Sequence, residues 1–388
     1  MIERFELVRG AEPLFDRVAS DLAHARSRVW VETYLLHEDH ATRMLLEAMG
    51  RAAARGLEVR ILVDGFGGGV DAERLRPWIE GLGIELRVFR PRLRPWMLKA
   101  WKRLHRKLIL IDEDVLYVGG INLLSDWEDP NHGRLTAPRL DYAVRCHSPR
   151  VQAQAVIPMA KSWWRAGWRL GSVRAQWLQM RKDQALAQAR LSVGRGSGRS
   201  HAQLVFRDDL RHPRAVERAL SRLLRQARSE VCLAMAYFVP TRSLRRLLIQ
   251  AAQRGVRVSL LIQGRTEYWW ARWAEQLMVQ ELLEAGIEVW EYQESFLHAK
   301  VLVADDWATV GSSNWDPFSL WLALEANLVL KDAEFARTLL HDLRSQMTPA
   351  HASRREAHRG LGGLLRLPQR VFQRGMLSVV LGILRAIR

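Results

Sequence analysis

The sequence predicts an α/β fold built twice: two repeats, each a mostly parallel sheet flanked by helices, related by a pseudo-twofold with one shared site at their interface. Three observations carry this expectation. Short strings recur in the same order in both halves, apolar β-branched runs alternate with amphipathic helical stretches, and one polar motif occurs once in each half.

The recurrence begins with Ala25-Arg26-Ser27-Arg28-Val29-Trp30-Val31, which returns as Ala227-Arg228-Ser229-Glu230-Val231-Cys232-Leu233. Arg55-Gly56-Leu57-Glu58-Val59 is matched by Arg254-Gly255-Val256-Arg257-Val258, and Gly83-Ile84-Glu85-Leu86 by Gly286-Ile287-Glu288-Val289. Each copy reads as an amphipathic helix, a strand, then a second helix closed by the Arg-Gly pair before the next strand. The first copy places strands near 28–36, 57–64, 84–89, 107–112 and 114–119. The second places them near 230–238, 256–263, 287–292, 299–304 and 307–311. The N-terminus, Met1-Ile2-Glu3-Arg4-Phe5-Glu6, reads as charged, helix-compatible sequence with no signal peptide.

The first repeat is expected over residues 1–170 and the second over 202–350. A linker of 171–201 contains the Gly-, Ser- and Arg-rich run Val193-Gly194-Arg195-Gly196-Ser197-Gly198. Residues 351–388 mix leucine with arginine and carry almost no acid, the composition of a basic amphipathic tail. The apolar run Met376–Leu384 is roughly half of the ~20 residues that a membrane-spanning helix needs, so no span is expected.

A net charge of +17 predicts attraction to polyanions: nucleic acid, phosphate-bearing molecules or an anionic membrane surface. The two cysteines, Cys146 and Cys232, exclude a disulfide framework and a cysteine zinc site, which fits a reducing, cytosolic setting. Sixteen tryptophans, several beside arginine as in Trp163-Trp164-Arg165, suit the headgroup level of a bilayer or a base-stacking groove equally well.

The chemistry lies in His105-Arg106-Lys107 with Asp112, followed by Gly119-Gly120-Ile121-Asn122, and in His298-Ala299-Lys300 with Asp305, followed by Gly311-Ser312-Ser313-Asn314. Composition alone predicts about 0.01 chance matches to H-x-K-x₄-D, against the two found at equivalent places. Lysine stands at both motif positions although the chain holds only seven lysines beside 52 arginines, so a compact ammonium is required there. Pooled across a pseudo-twofold, His105, His298, Lys107, Lys300, Asn122 and Asn314 would form a pocket for a phosphodiester. One imidazole would attack phosphorus and the other would protonate the leaving alkoxide.

Asp141 and Glu325 are expected to orient an imidazole, each within its own repeat, by accepting from one ring nitrogen. Asp112 and Asp305 are expected to be structural, since seven residues along a strand carries them away from the histidine. The Gly119-Gly120 and Gly311 segments read as close-approach turns. No cluster with metal-ligand spacing accompanies the motif, and no metal or other cofactor is expected.

On these residues the chain resembles the phospholipase D superfamily, whose signature is the duplicated H-x-K-x₄-D followed by G-G/S-x-N. Within it, Val205-Phe206-Arg207-Asp208, Ala236-Tyr237-Phe238-Val239-Pro240, Ile262-Gln263-Gly264 and Leu324-Glu325-Ala326-Asn327 are similar to bacterial cardiolipin synthases, particularly the B type without N-terminal membrane helices. The resemblance implies phosphatidyl transfer between two phosphatidylglycerol molecules through a phosphatidyl-histidine, with glycerol released. It implies His105 as nucleophile and His298 as acid/base, and the pseudo-symmetry leaves the reverse assignment open. It further implies an anionic phospholipid partner rather than nucleic acid, and a peripheral place on the cytoplasmic side of a bacterial cell membrane. A hydrolase, another phosphatidyltransferase and a nuclease of the same superfamily are the alternatives.

Overall fold

A computed structural model describes residues 3–90, 102–167, 202–208, 212–265, 278–316, 319–320 and 323–348. The proposed linker 171–201 and the basic tail 351–388 lie outside the described residues.

The first repeat runs β1 (Arg4–Arg9), α1 (Ala11–His24), β2 (Arg28–Thr33), α2 (His40–Ala54), β3 (Glu58–Asp64), α3 (Gly69–Gly81) and β4 (Glu85–Phe89). It continues through β5 (Leu108–Ile111), β6 (Val115–Gly119), a small hairpin of β7 (Glu128–Asp129) and β8 (Gly133–Arg134), β9 (Tyr142–His147) and α4 (Pro149–Gly167). The second repeat contains β10 (Ala202–Arg207), α5 (Ala215–Gln226), β11 (Glu230–Met235), α6 (Arg242–Gln253), β12 (Arg257–Gln263) and β13 (Glu288–Tyr292). It ends in β14 (Lys300–Ala304), β15 (Trp307–Gly311), β16 (Glu325–Lys331) and α7 (Ala333–Ser345). The ten strands placed by periodicity are present within a few residues of the expected positions.

Each repeat builds a seven-stranded sheet, in the orders β1-β9-β6-β5-β2-β3-β4 and β10-β16-β15-β14-β11-β12-β13. The sheets are mixed rather than mostly parallel. Only β2-β3-β4 and β11-β12-β13 run parallel, joined by helical crossovers, and the other neighbours are antiparallel. The reason is connection length: β5 to β6 and β14 to β15 are tight hairpins, which cannot join parallel neighbours.

A second correction concerns the repeat's first element. Residues 4–9 form β1, not the start of a helix, and pair antiparallel with β9 from Arg4↔His147 to Arg9↔Tyr142. The charged residues that suggest a helix sit on an edge strand, where Arg4 and Arg9 at its two ends are exposed and Val8 is buried. β10 plays the same part against β16.

The repeated Arg-Gly pair closes helices as expected. Arg55 and Arg254 cap α2 and α6, and Gly56 and Gly255 take φ values of 90° and 86°, where a side chain is strained. Each arginine also donates backward, Arg55 to the carbonyls of Leu22 and Ala25 and Arg254 to those of Leu224 and Ala227. One buried apolar cluster draws from both repeats, with Leu108, Leu116 and Val144 in the first packed with Val301, Val310 and Leu328 in the second. That shared core fixes the two sheets against each other and sets the site between them.

Candidate active site

His105 and His298 each lie just before the hairpin strand of their own repeat, and each is gripped by the opposite repeat. The His105 backbone N–H donates to the Leu324 carbonyl at 3.0 Å, and the Leu324 N–H donates to the Arg103 carbonyl at 2.7 Å. In the mirror arrangement His298 N–H donates to the Leu140 carbonyl at 2.8 Å, and Leu140 N–H to that of Phe296 at 2.9 Å. These parallel bridges place residue 325 beside His105 and residue 141 beside His298.

The orienting carboxylates therefore cross the interface, correcting the expectation that each would serve its own repeat. His105 Nδ1 lies 3.0 Å from Glu325 Oε1, and His298 Nδ1 lies 2.6 Å from Asp141 Oδ2. With a carboxylate accepting, Nδ1 carries the proton and Nε2 is left as the nitrogen with a free lone pair in both neutral rings. Both carboxylates are buried, Glu325 as the first residue of β16 and Asp141 just ahead of β9.

Small residues make room for this. A side chain at Gly120 would collide with the Asp141 carboxylate, and one at Gly119 or Gly311 would strike the neighbouring strand. The close-approach reading of these turns holds. At the place equivalent to Gly120 the second repeat has Ser312, whose hydroxyl donates to the second oxygen of Glu325. The two halves are thus chemically unequal around otherwise matching carboxylates.

Both motif lysines are buried and rest on the backbone, Lys107 Nζ donating to the His105 carbonyl at 2.8 Å and Lys300 Nζ to the His298 carbonyl. Burial is the chief cause that lowers Lys107 to about 7 and Lys300 to about 8, against the pull of Glu325 and Asp141. Burial also lowers His105, with Glu325 opposing and Lys107 assisting, and drives His298 well down, assisted by Lys300 and Lys107. It raises Asp141 to about 6 despite the nearby ammoniums. Each imidazole thus feels the ammoniums of both repeats, the arrangement expected of one pooled site.

Asn122 and Asn314 are both buried. Asn122 accepts the Leu35 N–H at 3.1 Å through its side-chain oxygen, which leaves its amide N–H₂ as the group able to serve a ligand. Asp112 and Asp305 stand away from the imidazoles in left-handed turns with φ of 49° and 52°. Asp112 accepts the backbone N–H groups of Arg26, Ser27 and Arg28, and Asp305 those of Arg228, Ser229 and Glu230. Burial works to raise both carboxyls, but these bonds win and hold them below their usual value. The motif aspartate therefore fastens the repeated Ala-Arg-Ser turn to the hairpin.

Three contributors lacked a signal strong enough to single out in the sequence. The Tyr34 and His105 rings pack edge-to-face with centroids 5.0 Å apart, and Lys107 Nζ lies 5.3 Å from the Tyr34 ring centre. Asp64, at the end of β3, accepts the Leu104 N–H at 2.8 Å, and Gln263, at the matching end of β12, accepts that of Leu297 at 3.1 Å. Both anchor the residue before a site histidine, and their place follows from the matched strings Leu62-Val63-Asp64-Gly65 and Leu261-Ile262-Gln263-Gly264. Arg106, inside the first motif, forms a buried ion pair with Glu32 at 3.0 Å, where the second repeat has Ala299 and Ala234.

The family model described as cardiolipin synthase, PLD-like domain matches residues 18–132 and 220–347, one stretch across each motif. The chain belongs to this family. It is 33% identical over 353 residues to the cardiolipin synthases B of Shigella flexneri and Escherichia coli K12, covering 88% of this chain and 79% of theirs. Cardiolipin synthase 1 of Staphylococcus epidermidis is 27% identical over 338 residues, covering 87% of this chain and 66% of the relative. Among solved structures, phosphatidylserine synthase of Haemophilus influenzae shares the fold at a TM-score of 0.63 and 13% identity, covering 90% of this chain and 86% of that one. Polyphosphate kinase of Porphyromonas gingivalis does so at 0.54 and 13%, covering 89% and 50%. Among the described residues no helix is long and apolar enough to cross a membrane, and no group of three or more His, Cys, Asp or Glu could hold a metal ion.

Proposed function

We propose that this chain is a cardiolipin synthase, moving a phosphatidyl group from one phosphatidylglycerol to another at the surface of a bacterial cell membrane, on its cytoplasmic side. The observation that carries the reading is the crossed pair of carboxylate-held imidazoles around two buried lysines, in a chain whose curated relatives are cardiolipin synthases.

In the first half-reaction His105 Nε2 forms a bond to phosphorus as the bond from phosphorus to the glycerol oxygen breaks. His298 Nε2–H gives its proton to that oxygen, and glycerol leaves. The diester's own negative charge favours the imidazolium, countering the burial that otherwise keeps His298 neutral. In the second half-reaction a headgroup hydroxyl of another phosphatidylglycerol gives its proton to His298 and attacks phosphorus, and the bond to His105 breaks. Lys107, Lys300 and the amides of Asn122 and Asn314 stabilise the charge gathering on the non-bridging oxygens.

The test incubates purified protein with phosphatidylglycerol in mixed micelles, beside the His298→Ala variant, and follows lipids by mass spectrometry. Cardiolipin and free glycerol, lost in the variant, are the expected products. Phosphatidic acid alone would replace the synthase by a hydrolase, and inert lipid with cleavage of DNA would replace it by a nuclease. The assignment of roles is read from the peptide that carries the phosphatidyl group in quenched reactions, expected to be the one containing His105.

A further inference from the structure

Four large apolar side chains stand out as exposed among the described residues: Met44, Phe66, Val70 and Trp127, at 52%, 65%, 61% and 43%. All four belong to the first repeat, and bonds between their segments gather them on one rim. Ser125 N–H donates to Asp39 at 2.8 Å, and Asp39 caps α2, whose second turn carries Met44. Trp127 N–H in turn donates to the Ser125 hydroxyl. His37 Nδ1, in the connection leading to α2, meets Asp71 at 3.0 Å, next in sequence to Val70. Phe66 tips the turn between β3 and α3, with the Arg103 guanidinium 5.0 Å from its ring.

This rim is continuous with the site. A side chain at Gly67 would come within 2.6 Å of the Tyr34 carbonyl, so the Phe66 turn packs directly on the residue whose ring touches His105. Arg103, over Phe66, is two residues before His105. Nothing in a strand-to-helix turn calls for a solvent-facing phenylalanine followed by a solvent-facing valine, and such a patch beside a reactive site marks an interaction surface.

Charge identifies the occupant. Arg103 stands over the Phe66 ring, and Arg90, whose guanidinium donates to the Lys102 carbonyl at 3.5 Å, follows β4 at the end of the sheet where Gly65 N–H donates to the Phe89 carbonyl, in a protein of net charge +17. A tryptophan, a phenylalanine and aliphatic tips, with cations beside the phenylalanine, match the headgroup level of an anionic bilayer.

We propose that this rim is the surface that docks on anionic lipid, with Phe66, Val70, Met44 and Trp127 entering the boundary between headgroups and acyl chains. It rests on the phospholipid reading above and adds where the membrane lies: over the mouth of the site, on the first repeat's side.

The full chain and its Phe66→Ser/Val70→Ser variant are sedimented with vesicles of phosphatidylcholine alone or mixed with phosphatidylglycerol. The variant is expected to bind the mixed vesicles about tenfold more weakly, and to lose turnover on vesicles while keeping it on a short-chain, micelle-free phosphatidylglycerol. As a measurement that tolerates a destabilised variant, Phe66→Cys carries an environment-sensitive dye, since Cys146 and Cys232 are buried. Its emission is expected to shift to the blue on mixed vesicles. Unchanged partition with no dye response overturns the proposal. So does an equal loss of turnover on the soluble substrate, or a change of oligomeric state without a change in vesicle binding, which would mark a contact between copies. Normal cardiolipin synthesis with unchanged partition removes this proposal alone, whereas rim-dependent binding without cardiolipin removes the functional reading and leaves the docking surface.

Discussion

Glu325 and Asp141 each hold one ring, in surroundings that differ. Glu325 holds His105 and also takes the Ser312 hydroxyl, whereas Asp141 holds His298 beside Gly120. Either Glu325→Gln or Asp141→Asn preserves volume but lets the ring turn to the wrong tautomer. A loss of about 10²–10⁴-fold in kcat is expected from each, measured as cardiolipin formed per enzyme at saturating phosphatidylglycerol. The pH profile has its own signature. Asp141, raised to about 6, releases His298 when it protonates below that value, so activity falls on the acid side. Lys107, lowered to about 7 by burial, loses its charge as pH rises, so activity falls on the alkaline side too. Lys107→Arg cannot be discharged in this range; it should lower activity but push the alkaline limb upward, and an unmoved limb would assign that limb to another group. Sequence reading reached both carboxylates because their places repeat. It paired them within repeats because a linear pattern carries no information on which strand end faces which across an interface.

At the level of elements, the motif aspartate shows how a signature can be conspicuous in sequence and silent about its purpose. Asp112 and the Ala25-Arg26-Ser27 string are two of the clearest repeated features, but nothing in either says that one binds the other. Their pairing arises only when β5 returns antiparallel to β2, with Val29 opposite Ile111. Asp112→Ala removes three backbone acceptor bonds and leaves alanine at φ 49°, so a stability loss of about 2–4 kcal/mol is expected. Asp112→Asn keeps one acceptor oxygen and tolerates the left-handed turn, and should cost less. Thermal unfolding of both variants checks the order; equal melting points would mean the turn is held by other contacts. The parallel strands were legible from their apolar runs and Arg-Gly stops, whereas β1 and β10 were not. β1, with Arg4 and Arg9 exposed, has the composition of a solvated helix, and for both edge strands it is the pairing with β9 or β16 that makes the segment a strand.

For the molecule as a whole, the crossed grips imply that neither half can hold its own histidine in place. His105 takes its backbone partner from Leu324 and its ring partner from Glu325, while His298 takes them from Leu140 and Asp141. The core beneath is shared in the same way, with Leu328 of β16 fully buried in a cluster that includes Leu108 and Leu116 of the first sheet. Leu328→Ala opens that cluster and should destabilise by about 2–5 kcal/mol. If the halves were independent, hydrogen exchange would quicken only in the second sheet. The shared core predicts instead that amides of β5 and β6, more than 180 residues earlier in the chain, lose protection together with those of β14 to β16, and that unfolding stays a single transition. Quickening confined to the second sheet would show that the interface opens without unfolding. The carboxylate–imidazole pairs would then be assembled by docking of the two repeats rather than by the folding of either.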